Sequence, residues 1–425
     1  MTHTMMKQFY ITTLGCKVNQ YDGQLIREQL IKAGYRESVQ VPNKPGGVIV
    51  INTCTVTGRA DQKCRNMIKR LVRNKGSAKV LVTGCFVEGD IEQLKKIEGV
   101  DFLVRMKDRA SIPKLLDCRK EVSELEAVSS FEGRTRAFLK VQDGCNEFCA
   151  YCKVPYVRGR SKSKLLHHIV DEAKMIIANG YKELVVTGIH LGSYGHDLRD
   201  VVTLDQVVEA VAAIHGKFRI RISSMEPMNV DPALIKRLSQ IDKLCPHFHL
   251  PLQSGDDAVL KLMGRRYAYA EYRKIAGAVK EYFTDAAIST DIIVGFPGET
   301  EECFKNSLKA VAQVGFCKVH VFPFSARAGT KAAGLTDVVP VKEITRRAEE
   351  LDSIAEEAAY ECKRSLVGKI KEVLVEDKRN GTCLAGFTDN YQRVKFQGGD
   401  ELKNQFVKVK LTEAKEDFIL GTLTH

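Results

Sequence analysis

The chain has 425 residues, which at roughly 150 residues per domain suggests two or three domains. Apolar residues make up 44% and charged residues 28%, which excludes a disordered, collagen-like or disulfide-scaffold chain. Lys and Arg outnumber Asp and Glu by 65 to 53, a net charge of +12 that fits a polyanionic partner such as nucleic acid.

Met1 to Gln8 lacks the apolar core of a secretory signal, and no run approaches the roughly 18 apolar residues of a membrane span. Cytoplasm, with no membrane partner, is the default expectation. Phe9–Leu14, Val48–Ile51, Val80–Val82 and Phe102–Val104 are short apolar runs that read as buried strands. Helical patterns lie between them, such as Gln24 to Ile31 closed by Gly34. This alternation implies a parallel sheet with crossover helices over residues 5–120. Glu121 to Phe131 is acidic, small and aperiodic, and reads as a linker.

From Thr135 the alternation restarts. Strands are expected at Ala137–Val141, Leu184–Thr187, Phe218–Ile222, His247–Leu250, Ala287–Val294 and Cys317–Phe322. Helical patterns separate them, for example His168–Ala178, Leu204–Ile214 and Tyr269–Phe283. Six such units suit a partial (βα)6 barrel over residues 131–362, with Glu343–Arg364 as a charged amphipathic helix. After Ser365 short strands (Lys371–Val375, Val407–Leu411) and turn signals (Arg379-Asn380-Gly381, Gln397 to Asp400) predict a small all-β barrel over 365–425. The expected class is α/β: a parallel-sheet domain, a partial barrel and a small β-barrel.

Thirteen cysteines in a chain without a secretory signal point to metal or redox chemistry rather than disulfides. The strongest signal is Cys145-Asn146-Glu147-Phe148-Cys149-Ala150-Tyr151-Cys152. Three thiolates in eight residues can wrap one face of an iron–sulfur cube and leave one iron open for a ligand. A structural zinc site normally takes four protein ligands; inert buried thiols are the other reading. The loop follows the first barrel strand, at the end where barrel active sites lie. Cys16, Cys54 and Cys85 each closely follow an expected strand of the first domain. In a parallel sheet these positions share one edge, so the three can converge, or they are unrelated core thiols. Cys64 falls inside a helix and reads as a bystander; Cys118, Cys245, Cys303, Cys317, Cys362 and Cys383 read as packing residues.

The CxxxCxxC loop resembles the radical S-adenosylmethionine enzymes, in which the open iron binds S-adenosylmethionine. Leu14-Gly15-Cys16-Lys17-Val18-Asn19-Gln20, Asn52 to Thr57, Thr83-Gly84-Cys85, Val154 to Arg160, Arg221 to Pro227, His249 to Gly255 and Asp291 to Thr300 together resemble the methylthiotransferases. The C-terminal module is similar to a TRAM domain, which binds RNA. The resemblance implies two [4Fe–4S] clusters, conversion of C–H to C–SCH3, and two roles for S-adenosylmethionine: methyl donor and source of the 5′-deoxyadenosyl radical. Such a cofactor is needed because an unactivated C–H offers nothing to ordinary acid–base chemistry. It also implies transfer RNA, an electron donor and a sulfur source as partners. Leu14 to Gln20 and Asn52 to Thr57 look like the branch acting on N6-threonylcarbamoyladenosine at position 37 of tRNA. The alternatives are the branches acting on isopentenyladenosine-37 or on an aspartate of ribosomal protein S12. Beyond these stand a radical enzyme inserting sulfur without methylation, and a non-enzymatic, metal-containing RNA-binding protein.

Within this frame Cys145, Cys149 and Cys152 would be catalytic cluster ligands and Cys16, Cys54 and Cys85 ligands of the second cluster. Cofactor contacts are expected from Tyr151, Arg158, Ser223, Ser224, Glu226, Asp291 and Gly295. For Ser223, Ser224 and Glu226 the bland alternative is capping of the next turn; for Tyr151 it is support of the loop. Arg158 and Arg160 suit a phosphate or the cofactor carboxylate, or form a solvated basic turn. Arg59, Lys63, Arg70 and Arg73 lie along one helix face and suit an RNA backbone, or again a solvated face. His190 and His196 are expected near substrate, not as metal ligands.

Overall fold

A computed structural model describes residues 7–116, 127–131, 133–377, 379 and 381–424. Most of the expected linker, Cys118 and Asn380 lie outside the described residues. The N-terminal domain is a parallel sheet in the order Arg36–Glu37, Gln8–Thr13, Gly47–Thr53, Lys79–Gly84, Phe102–Val104. Its two faces show why the runs are continuously apolar. Phe9, Ile11, Val48, Val50 and Leu81 fill one core, while Ile49, Ile51, Val80 and Val82 pack on the other side under Cys64, Ile68 and Leu71 of helix Gly58–Arg73. The two-residue strand Arg36–Glu37 escapes sequence reading because it has no apolar run.

The central domain carries the six expected strands: Arg136–Lys140, Glu183–Thr187, Arg219–Ile222, His247–His249, Ala287–Val294 and Lys318–Pro323. They form two parallel three-stranded sheets joined by single bridges, Ile220 to Leu244 and Ser224 to His249. Among the described residues no pairing joins the first strand to the last, so the barrel is open on one side. Helix Lys17–Lys32 of the N-terminal domain packs on strand Arg136–Lys140 beside that opening, and helix Val341–Arg364 packs on the last strand.

The C-terminal module is a closed barrel of Ile370–Val375, Leu384–Thr388, Arg393–Phe396, Ile419–Leu423 and Phe406–Ala414, filled by Val373, Leu384, Val394, Phe396, Val409 and Ile419. Arg219 and Arg221 donate to its backbone, at Phe387 O (3.0 Å) and Asp389 O (2.8 Å). Lys369 and Lys371 reach back to Asp285 at 2.6 and 3.3 Å. One expectation is corrected: Cys317 and Cys362 are not separate packing thiols but a disulfide, with Cα atoms 5.3 Å apart. Tertiary packing of the long helix on the last strand brings together residues 45 apart, which spacing in sequence does not signal. Among the described residues, no helix is long and apolar enough to cross a membrane.

Candidate functional site

The cysteine loop after the first barrel strand is pinned by its own backbone. The Cys145 N–H donates to Gly159 O (3.1 Å), and the Ala150 N–H to Met263 O (2.8 Å). The Glu147 and Val154 N–H groups donate to the sulfurs of Cys145 (3.3 Å) and Cys152 (3.4 Å). Burial pushes the Cys145 thiol up to about 11 and Cys152 to about 12; it also raises Cys149, against the opposing pull of Arg265. Such thiols lose their protons readily only to a bound cation. An all-sulfur donor set served by backbone N–H groups fits an iron–sulfur cluster.

Sequence reasoning missed Arg265. Its buried guanidinium ion-pairs with Glu226 and donates to the Tyr151 hydroxyl (2.5 Å), so it locks two expected cofactor residues together. An Arg-Arg pair after the short helix Asp257–Leu262 carries no spacing signal. Tyr151 also meets Phe296 edge-on at 6.5 Å. His190 places Nδ1 3.6 Å from the Cys145 sulfur.

Cys16, Cys54 and Cys85 emerge at one edge of the N-terminal sheet, where charge on Cys16 would be felt at Cys54, and charge on Cys16 and Cys54 at Cys85. The surrounding motif residues explain this. Asn19 donates to Leu14 O (2.6 Å) and Thr53 O (3.1 Å); Asn52 donates to Asn19 O (2.8 Å); the Thr53 hydroxyl donates to Thr83 O (2.6 Å). The three loops are thus tied to one another. Gly15 (φ +103°) and Gly84 (φ +104°) take conformations that other residues avoid, and a Cβ on Gly15 would lie 2.7 Å from the Cys54 sulfur. Burial raises Cys54 and Cys85 to about 11, so this donor set also suits a metal that supplies the charge. Cys64 is buried under the loop and exchanges hydrogen bonds with the Cys54 backbone at 3.3 and 3.4 Å.

Arg158 turns away from the barrel mouth. It pairs with Asp143 (2.9 Å) and with Asp22 of the N-terminal domain (3.1 Å), and stands beside the Cys85 thiol. Lys140 (2.7 Å) and Arg109 (3.1 Å) complete the shell around Asp22. Burial alone would raise Asp22, but Lys140, Arg158 and Arg109 hold it well below the usual carboxylate range. Arg327, also unsignalled in sequence, clamps the loop after Cys54 by donating to Thr55 O (2.9 Å) and Asp61 (2.7 Å).

A cavity of about 940 Å³ fills the barrel's open side. Cys16 and Lys17 form part of one wall; Ser223, His249 and Asp291 line it from the barrel, and Arg379, Tyr391 and Arg393 from the C-terminal module. Asp291 pairs with His249 at 3.3 Å. Ser224 does not line this cavity and pairs through its backbone with His249; the Gly295 N–H donates to Glu299 (2.6 Å) in the turn under the long helix. Arg160 lies over the Phe148 ring at 5.4 Å. Arg59, Lys63, Arg70 and Arg73 are exposed on the helix that follows Cys54.

Three family profiles match the chain in order: the uncharacterized protein family UPF0004 over residues 8–105, the radical SAM superfamily over 139–311 and the TRAM domain over 364–424. The chain is 36% identical to the threonylcarbamoyladenosine tRNA methylthiotransferase MtaB of Bacillus subtilis (strain 168), covering 95% of this chain and 93% of that protein. The MtaB protein of Chlamydia pneumoniae is also 36% identical, with 98% of each covered. A tRNA-2-methylthio-N(6)-dimethylallyladenosine synthase of Dictyoglomus thermophilum is 35% identical over 96% of this chain and 97% of that protein. Among solved structures, the radical S-adenosylmethionine methyltransferase TsrM from Kitasatospora setae superposes with a TM-score of 0.56 at 12% identity, covering 74% of this chain and 73% of that one, a likeness of fold alone. Full-length relatives and the order of the three domains agree: the chain belongs to the radical SAM methylthiotransferases, enzymes that use S-adenosylmethionine and a [4Fe–4S] cluster to transfer a sulfur-containing group.

Proposed function

We propose that the protein converts N6-threonylcarbamoyladenosine at position 37 of tRNA into its 2-methylthio form. Cys145, Cys149 and Cys152 would hold the cluster that binds S-adenosylmethionine, and Cys16, Cys54 and Cys85 a second cluster. When bound, these groups supply a radical that takes hydrogen from C2 of the base and a methylated sulfur that replaces it. The observation that carries the reading is the cavity where all three domains meet: Cys16 is in its wall and the barrel interior forms its floor. At about 940 Å³ it is large enough for an extruded nucleoside.

This chain's residues position and exclude. The C-terminal barrel closes the cavity through Tyr391, Arg393 and Arg379. Ser223 and the Asp291–His249 pair offer polar contacts from the barrel wall. Arg134, Arg136, Lys17 and Lys318 make the lining basic, which suits a substrate bearing a carboxylate more than one bearing an isopentenyl group. The exposed Arg59, Lys63, Arg70 and Arg73 suit the RNA backbone.

Nucleoside mass spectrometry of tRNA from a deletion strain tests the reading. The 2-methylthio-threonylcarbamoyl nucleoside should vanish while threonylcarbamoyladenosine accumulates. Loss of the methylthio-isopentenyl nucleoside instead would overturn the substrate, and loss of a methylthio group from ribosomal protein S12 would overturn the RNA reading.

A further inference from the structure

The cations of the cavity are not equivalent. Arg136 is paired with Glu376 (3.1 Å), Arg221 with Glu183 (2.9 Å) and Arg379 with Asp400 (2.5 Å). Among the described residues, Lys17, Arg134, Lys318 and Arg393 have no ion pair. Arg134 is nonetheless engaged: it donates to Gln20 Oε1 (2.6 Å) and lies over the Phe138 ring. Lys318 opens the last barrel strand, at the end away from the cysteine loop, and Arg393 belongs to the C-terminal barrel.

Lys17 differs from all of these. It directly follows Cys16 and is the first residue of helix Lys17–Lys32, whose first turn contains no acid. A cation at a helix N-terminus faces the positive end of the helix dipole, which disfavours it. Lys17 therefore stands where the helix dipole disfavours positive charge, lines the cavity, and among the described residues has no ion pair. Asp291, which lines the same cavity, is already bonded to His249. Of the cavity's cations, Lys17 is the one that adjoins Cys16 and, among the described residues, pairs with no carboxylate, so a substrate can supply that group.

The substrate chemistry says which group. In adenine, C2 and C6 flank the same ring nitrogen, N1. A substituent on the C6 amino group therefore shares an edge of the base with the carbon that receives sulfur. If sulfur arrives from the Cys16, Cys54, Cys85 site, a residue that reads the substituent must border that site. We propose that Lys17 is the specificity-determining residue: its ammonium pairs with the carboxylate of the N6 substituent. The inference rests on the function proposed above, and it explains how one cavity tells an anionic substituent from a neutral one. A carboxylate brought there unpaired would lose its hydration without replacement.

The test compares two anticodon stem-loops, one carrying threonylcarbamoyladenosine and one carrying its threoninamide analogue, which has the same shape and no charge. Equilibrium binding to the cluster-loaded protein without S-adenosylmethionine is measured alongside turnover. The wild-type protein should prefer the carboxylate by about 10- to 100-fold, the usual worth of a hydrogen bond to a charged group. Lys17→Gln should reduce that ratio to near one, and Lys17→Arg should keep most of it. Iron content of each variant shows whether the neighbouring Cys16 site is intact. A second measurement needs no variant: carbodiimide activation of the substituent carboxylate should couple it to the Lys17 amine of the wild-type protein, located by peptide mass spectrometry. Coupling to Lys318 and not Lys17, or full discrimination retained by an iron-replete Lys17→Gln protein but lost in Arg134→Gln or Arg393→Gln, overturns the proposal. Failure of the wild type to turn over threonylcarbamoyladenosine would instead refute the proposed function.

Discussion

The two cysteine trios are built by opposite means. Cys145, Cys149 and Cys152 lie in one eight-residue loop, held by local backbone bonds and by bonds between Ala150 and the distant Met263 and Ala332. Cys16, Cys54 and Cys85 come from three strands, and only the register of a parallel sheet brings them to one edge. The ligands of the first site all come from one turn. The second depends on a whole domain: on Asn19, Asn52 and Thr53 tying loops together, on Gly15 and Gly84, and on Arg158 and Arg327 clamping that domain to the barrel. A distributed site should therefore be vulnerable at residues far from any ligand, and a local site should not.

The largest expected effect is on chemistry. Changing Cys145, Cys149 and Cys152 together to Ala should abolish S-adenosylmethionine cleavage and remove about four of about eight irons, taking roughly four per cluster. Iron analysis and detection of 5′-deoxyadenosine check both. Asp22→Asn comes next, because it leaves Lys140, Arg158 and Arg109 without their shared carboxylate at the domain junction. Breaking such a buried network costs about 3–5 kcal/mol, measured as a shift in the chemical denaturation midpoint. The same carboxylate gives a pH signature. Its folded-state pKa is depressed, so its contribution is complete above the unfolded value of about 3.9 and lost as pH falls below it. Wild-type stability should fall on acidification through that range more steeply than that of Asp22→Asn.

Gly84→Val sharpens the contrast. It forces a β-branched residue to φ +104° with its Cβ 2.3 Å from Thr53 O, and should empty the Cys16, Cys54, Cys85 site while sparing the other. The smallest effect belongs to Cys64→Ala, which removes a buried sulfur that, among the described residues, hydrogen-bonds the Cys54 backbone alone. Stability should drop by about 1 kcal/mol with iron unchanged; loss of a cluster there would mean that Cys64 is a ligand.

Legibility follows the same division. Strands Gly47–Thr53, Lys79–Gly84, Glu183–Thr187 and Ala287–Val294 stand in the sequence as apolar runs because they are buried on both faces, whereas Lys318–Pro323, exposed on one face, shows only alternation. The local trio is visible as spacing, and the distributed one becomes visible once strand ends are aligned. What stays hidden is contact between elements. Arg265 locking Tyr151 to Glu226, Arg158 leaving the barrel mouth for Asp22, and Cys317 meeting Cys362 all depend on packing between segments distant in the chain. Polar residues carry no periodicity, so sequence can name them without showing where they point.

The proposed function puts two separate clusters on two separately built trios. The direct test is the protein with Cys16, Cys54 and Cys85 changed to Ala, reconstituted anaerobically and assayed for iron and for 5′-deoxyadenosine. This variant should hold about four irons instead of about eight, retain S-adenosylmethionine cleavage and form no methylthio product. Retention of about eight irons, or loss of cleavage in a protein that still holds four, would contradict it.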